Sequence, residues 1–232
     1  PIHKLGSIQG FGALIALNAD WIIAHRSANL GSVLRRRSAP AVGGRLGEHF
    51  APAAMQLLRQ AADQLDDDQG IAAAGGGATA ADLVSRLFAV DLQGNGVLFD
   101  IAMHRSGRLL IVELEPGEGG GELKYPGGLR PLMQRLGRHG DVNDLCAEAA
   151  RQMKGLLGFD RVMVYRFHQD GSGEVIAEAR EQQLEPFLNL RYPHTDIPAQ
   201  ARALYLRNLL RIIADVNAAP VPIEPEHALG GG

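Results

Sequence analysis

The stretch 190–202, LRYPHTDIPAQAR, holds the residue types and spacing most suited to chemistry. Pro193 and Pro198 stand five residues apart and bracket His194, Thr195 and Asp196. Pro193 biases Tyr192 towards an extended backbone. Pro198 suits the first turn of a helix, where its missing N–H costs nothing. Asp196 is then a natural N-cap. One reading is a rigid turn leading into a capped helix. The other is that the extended segment leaves backbone carbonyls unpaired and facing a ligand, as partners for the N–H donors of a buried heterocycle. Both readings stay open on the residues alone. Arg202, Arg207 and Arg211 lie on the expected helix, and Arg207 and Arg211, four apart, share a face. An arginine beside such a turn suits a ligand carboxylate, which a guanidinium grips as a fork. Met163, Tyr165 and Phe167 alternate along one strand face and form a wide apolar wall for a planar molecule.

Other chemistries are missing their signatures. There is no P-loop, no GxGxxG after a strand, no HExxH and no GxSxG. The histidines at 3, 25, 49, 104, 139, 168, 194 and 227 are scattered, so no metal site is expected. Asp66, Asp67 and Asp68, and Glu178 with Glu181, lie on polar stretches and read as solvated. The one cysteine, Cys146, excludes an internal disulfide and a Cys-rich zinc site, and reads as a small core hydrophobe. With 23 basic and 26 acidic residues the net charge is −3, which argues against non-specific nucleic-acid binding. No run approaches the roughly 20 apolar residues of a membrane span, and no basic-then-apolar leader opens the chain. A cytoplasmic protein is the expectation.

These residues need elements to hold them. At 232 residues the chain fits two modest domains. The glycine cluster in EPGEGGGEL reads as a linker over 116–128, between a domain at 1–115 and another at 129–232. In the first domain, strands at 11–17 and 21–25 form a hairpin, 45–67 is helical, and strands at 83–92, 96–104 and 109–114 follow. In the second, a long helical region runs from 129 to 157, with Asp141 as cap and Gly158 as stop. Strands at 161–167 and 174–179 turn at Asp170-Gly171-Ser172-Gly173. A helix then opens after Asp196 and runs to about Ile213. The fold class is α+β, with antiparallel sheets and flanking helices.

At this point the motifs match a known family. GFDRVMVYRF at 158–167, GEVIAEAR at 173–180 and YPHTDIPAQARALYLRN at 192–208 resemble the chromophore-binding GAF domain of bacterial phytochromes. PIHKLGSIQGFGALIAL at 1–17 looks like the opening of their PAS domain. The resemblance covers nearly the whole chain, PAS first and GAF second. It implies a red/far-red photoreceptor module that binds biliverdin, a linear tetrapyrrole, and signals by Z/E photoisomerisation to a downstream histidine kinase in a two-component system. It implies that the backbone carbonyl of Asp196 accepts bonds from pyrrole N–H groups. Ile197 and Pro198 would pack under the pigment beside Thr195. Tyr165 and Tyr192 would line the D-ring pocket, with Met163 and Tyr205 nearby, and Arg211 would bind a propionate. It also implies a figure-of-eight knot, with Ile8 near the crossing and a GAF loop beginning around 217–220, and a homodimer through the helices at 129–157.

The chain departs from the family in places. The family's attachment cysteine precedes the PIH segment, and Cys146 does not match it. QGFGAL replaces the usual QPHGAL. The GAF domain is expected to be incomplete at its C-terminal end, with PHY and kinase domains beyond it. The fragment itself is expected to be no enzyme, and neither nucleic acid nor membrane is an expected partner. The alternative is a PAS–GAF interaction or dimerisation domain that no longer holds a bilin.

Overall fold

The computed structural model describes residues 6–73, 83–117, 130–205 and 211–225. In chain order the elements are β1 (Ser7–Ile8), β2 (Ala13–Leu17), β3 (Ile23–Ser27), α1 (Leu30–Val33), a 3-10 turn (Leu46–Glu48) and α2 (Pro52–Ala73). Then come β4 (Val84–Asp91), β5 (Leu98–Ser106), β6 (Leu109–Pro116), α3 (Arg130–Leu136), α4 (Val142–Leu157) and β7 (Arg161–Phe167). The chain closes with β8 (Gly173–Arg180), β9 (Arg191–Tyr192), α5 (Ala199–Tyr205) and β10 (Val221–Glu224). Two compact units result, 1–120 together with 205–232, and 121–204. Among the described residues no helix is long and apolar enough to cross a membrane.

The first unit is an antiparallel sheet in the order β1-β10-β3-β2-β6-β5-β4. Its hairpins are closed by side chains that mimic backbone. Asn18 Oδ1 accepts from the N–H groups of Asp20 (3.0 Å) and Ile22 (2.9 Å), which turns β2 into β3. The Asp91 carboxylate accepts from the backbone of Gln93, Gly94, Asn95 and Gly96 at 2.7–3.2 Å and turns β4 into β5. Those bonds, led by the one from Gly96, hold its carboxyl below the usual aspartate range. Strict alternation puts Phe99, Ile101 and Met103 of β5 and Leu110, Val112 and Leu114 of β6 into the core. Against them α2 lays Met55, Leu58, Ala61, Ala62 and Leu65, a helical stripe. Arg105 grips Asp66 with two bonds (2.8 and 2.6 Å) and ties α2 to β5.

Two strands of this sheet come from opposite ends of the sequence. Ser7 pairs with Pro222 and Ile8 with Val221, while Ile223 and Glu224 pair with Ser27 and Arg26. Gln9 reinforces the join. Its amide donates to the Ile212 carbonyl and accepts from the Ala214 N–H (2.9 Å). That bonding corrects one expectation. Residues 211–213 have no regular structure, so the helix does not run to Ile213. Backbone groups that a helical ladder would take are taken here by a side chain.

The second unit packs α3 and α4 with a three-stranded sheet, β7-β8-β9. Asp141 caps α4 through the N–H groups of Asn143 (2.8 Å) and Asp144 (3.2 Å), and Gly158 ends it at φ 69°. The helical region from 129 to 157 is not continuous. It breaks between α3 and α4 across a segment that holds Gly137 and Gly140. Ala150 of α4 and Val175 and Ala177 of β8 are buried. Cys146 is half-buried rather than fully in the core.

Candidate functional site

The site grows from the β7–β8 pairing. Val164 faces Ala177 but Tyr165 faces Val175, so Ile176 is an extra residue on β8, a β-bulge. The extra residue lies on β8, so the alternation of β7 is kept. Met163, Tyr165 and Phe167 therefore share a face, as expected from their spacing. Phe167 is paired with Gly173, and Gly173 with Tyr192 of β9. The middle of that cross-strand row has no side chain, and the Tyr165 ring occupies the space. A Cβ on Gly173 would lie 2.1 Å from Cε1, Cζ and Oη of Tyr165. Only glycine admits the ring there.

Three rings converge on this gap. Tyr165 meets Phe167 edge-on, with centroids 5.2 Å apart at 76°. It lies 6.1 Å from Tyr192 at 42°. Met163 and Phe167 stay about two-fifths exposed, at 42% and 43%, so the wall is not filled from within the unit. Loss of water, then the Asp196 carboxylate, then Tyr192, push the Tyr165 phenol above its ordinary pKa. Tyr165 is thus a neutral hydroxyl, able to donate or accept.

The proline-framed segment resolves carbonyl by carbonyl. The Asp196 N–H donates to the Pro193 carbonyl (3.1 Å), and the Pro198 carbonyl accepts from Ala201 (2.9 Å) and Arg202 (3.1 Å). Nη1 of Arg202 donates to the carbonyls of Ile197 (2.7 Å), His194 (3.1 Å) and Gly171 (3.3 Å). No donor among the described residues takes the carbonyls of Thr195 and Asp196. Asp196 is therefore not the helix cap. α5 begins three residues later, at Ala199, and Ile197 and Pro198 stand between the two.

The remaining candidates are dispersed. Thr195 and Pro198 are exposed and Ile197 is half-buried in the same segment. Tyr205 is the last residue of α5 and is exposed. Arg211 belongs to the first unit, where it lines a cleft with Ser7, Ile8, Gln9 and Ile213. Arg207 lies outside the described residues.

Spacing did not reveal three supporting residues. Gly173 reads as a turn residue until the Tyr165 ring is placed over it. Arg202 reads as a solvated helix arginine. Glu178 reads as solvated, yet its side chain is only 4% exposed. It accepts from the N–H groups of Phe187 (2.9 Å) and Leu188 (3.1 Å) and lies 3.3 Å from Arg161, so it pins the irregular loop before β9. Its place between Val175 and Arg180 on an alternating strand was the available signal. On β8, Glu174 pairs with Arg166 (3.1 Å), His168 (3.3 Å) and Arg191 (3.7 Å). Its carboxyl is held low, chiefly by Arg166.

With this geometry in view, similarity to known proteins becomes informative. A family model described as a PAS fold matches residues 1–117. The bacteriophytochrome of Pseudomonas aeruginosa is 32% identical over 228 residues, covering 97% of this chain and 29% of that protein. The phytochrome-like protein Cph1 of Synechocystis is 34% identical over 229 residues, again covering 97% and 29%. The chromophore-binding domain of the bacteriophytochrome RpBphP3 from R. palustris superposes with a TM-score of 0.76 at 33% identity, covering 97% of this chain and 69% of that one. The chain belongs to the phytochrome family. It spans about 29% of the length of the two curated phytochromes. The expected fold, α+β with PAS followed by GAF, is that of the phytochrome chromophore-binding domains. In this phytochrome module the aromatic wall and the proline-framed turn both lie in the second unit.

Proposed function

We propose that this chain is the pigment-holding module of a red/far-red photoreceptor. It binds biliverdin in its GAF part, and Z/E isomerisation of the pigment is passed to a histidine kinase further along the protein. The observation that carries the reading is the Asp196 carbonyl. With the neighbouring Thr195 oxygen, it is one of two in the segment 193–198 that no described donor takes, and its residue's carboxylate acts on Tyr165. A linear tetrapyrrole presents N–H donors at its centre, flat apolar faces and carboxylates at its edge. The Asp196 oxygen suits the first, and Met163, Tyr165, Phe167 and Tyr192 suit the second. Ile197, Pro198, Thr195 and Tyr205 complete the lining in this reading, and Arg211 takes a propionate. The pigment supplies the light absorption. The chain orients it, keeps water from its middle and sets the room for its terminal ring.

The same reading includes the domain division at 1–115, 116–128 and 129–232, a cytoplasmic location, and a knot in which the segment around Ile8 passes through the loop after Asn217. The β1–β10 pairing and the Gln9 bonds support that threading. The test is an absorption spectrum after biliverdin is added to the purified protein. A red or far-red band that interconverts under light is expected, and a colourless protein would overturn the reading. A second reading is an interaction module that no longer holds a bilin. It is favoured by the apolar stripe on α4, where Val142 is 65% and Leu157 48% exposed. A colourless protein that dimerises would select it.

A further inference from the structure

We infer that Arg202 is a positioning residue for the pigment: its guanidinium takes the carbonyls of His194 and Ile197, which bracket the Thr195–Asp196 pair, and holds the segment that offers the Asp196 oxygen to the ligand. The inference rests on the reading of the site as a bilin pocket. A turn carbonyl left open is an acceptor for any nearby N–H. In the segment 193–198, six backbone oxygens compete for that role. Internal amides remove those of Pro193 and Pro198. Arg202 removes those of His194 and Ile197, which stand two residues before and one residue after Asp196. With it, the adjacent oxygens of Thr195 and Asp196 are left; without it, a central N–H group would find four acceptors in a row, 194–197, and the ligand could shift its register.

The arginine also fixes where the segment lies. The same Nη1 reaches the carbonyl of Gly171, in the turn between β7 and β8. That turn is closely seated. Gly171 has φ +81°, and a Cβ there would lie 3.2 Å from the His194 Cβ and 3.3 Å from Nη2 of Arg202. One side chain on α5 thus ties the β-hairpin carrying Tyr165 to the turn carrying Asp196. A solvated helix arginine would make none of these bonds. A terminal guanidinium nitrogen has two hydrogens, so with three acceptors the longest bond is shared. A lysine ammonium, with three hydrogens, suits the same cage as a point charge.

The experiment uses biliverdin with the wild-type chain and the variants Arg202→Ala, Arg202→Gln and Arg202→Lys. The position and width of the long-wavelength band and the biliverdin dissociation constant are measured for each. Loss of one charge-assisted set of bonds corresponds to roughly tenfold weaker uptake. Arg202→Ala and Arg202→Gln are expected to show that loss together with a broadened, shifted band, because the freed carbonyls offer alternative registers. Arg202→Lys is expected to restore the wild-type band. A purely structural arginine would lower the melting temperature and leave the band unmoved. If the wild type forms a band and Arg202→Ala matches it in position, width and affinity, the inference fails while the site reading stands. If the wild type forms no band, the site reading fails and takes the inference with it. If Arg202→Ala does not fold, the Gln and Lys variants decide, and a Gln variant with the wild-type band overturns the inference.

Discussion

The two units solve opposite problems. The first buries a continuous cluster that includes Ile15, Leu17, Leu58, Phe99, Met103 and Leu114. The second buries only Leu132, Ala150, Val175 and Ala177 among its described apolar side chains, while Met163, Phe167 and Leu190 stay partly exposed. A sheet face lined with rings but left uncovered is short of the burial that stabilises a domain. The first unit is a scaffold that completes its own core. The second keeps a core position open, and a flat pigment would fill it.

Mutations should separate these roles, starting with the largest effect. Phe99→Ala in the first unit should cost about 3–5 kcal/mol in denaturant unfolding, because the ring is fully enclosed. Phe167→Ala in the second should cost less than about 1.5 kcal/mol in the pigment-free protein and more once biliverdin is bound. Equal costs in the free protein would abolish the contrast. Gly173→Ala should cost about 1–3 kcal/mol, since Tyr165 must leave its place over the strand. The ultraviolet difference spectrum of the tyrosines should change with it. A variant with wild-type stability and spectrum would show that the ring does not depend on this glycine.

Acid should act on the first unit through Asp91. Its folded-state pKa is lowered by turn N–H groups, so its contribution is present above the ordinary aspartate value, about 3.9, and is lost as pH falls through the lowered one. Asp91→Ala should therefore have a lower urea midpoint than wild type at pH 7, and the gap should close as the pH falls through the lowered value. A gap independent of pH would contradict this. The smallest effects fall on the pigment itself. Tyr165→Phe removes only a hydroxyl and should keep biliverdin binding while changing the emission quantum yield. Asp196→Ala keeps the backbone oxygen, so binding should survive while photoconversion changes through the lost carboxylate charge, which acts on Tyr165. Abolished uptake in Asp196→Ala would count against the carbonyl.

Local signals were legible in the sequence wherever the cause was local. Alternation along β7, the Asp141 and Gly158 ends of α4 and the hairpin of β2 and β3 could all be read from neighbours. Long-range causes could not. Nothing near Val221 announces a partner at Ile8, and nothing near Ile212 announces that Gln9 will take its carbonyl. The choice between a capped helix and an open turn at Asp196 was undecidable from residue types. It depends on Arg202, six residues on, reaching back to His194 and Ile197. Gly173 was visible as a glycine, but its reason lies in a ring from the adjacent strand.

The Asp196 carbonyl can be watched directly. The sequence holds two Asp–Ile pairs, Asp100–Ile101 and Asp196–Ile197. Labelling aspartate carbonyls with 13C and isoleucine amides with 15N therefore yields two HNCO signals, one from β5 of the scaffold and one from the turn. On adding biliverdin, the Asp196 carbonyl signal should move downfield as it accepts a pyrrole N–H, while the Asp100 signal stays in place. A pigment band that develops with the Asp196 signal unmoved would contradict the account.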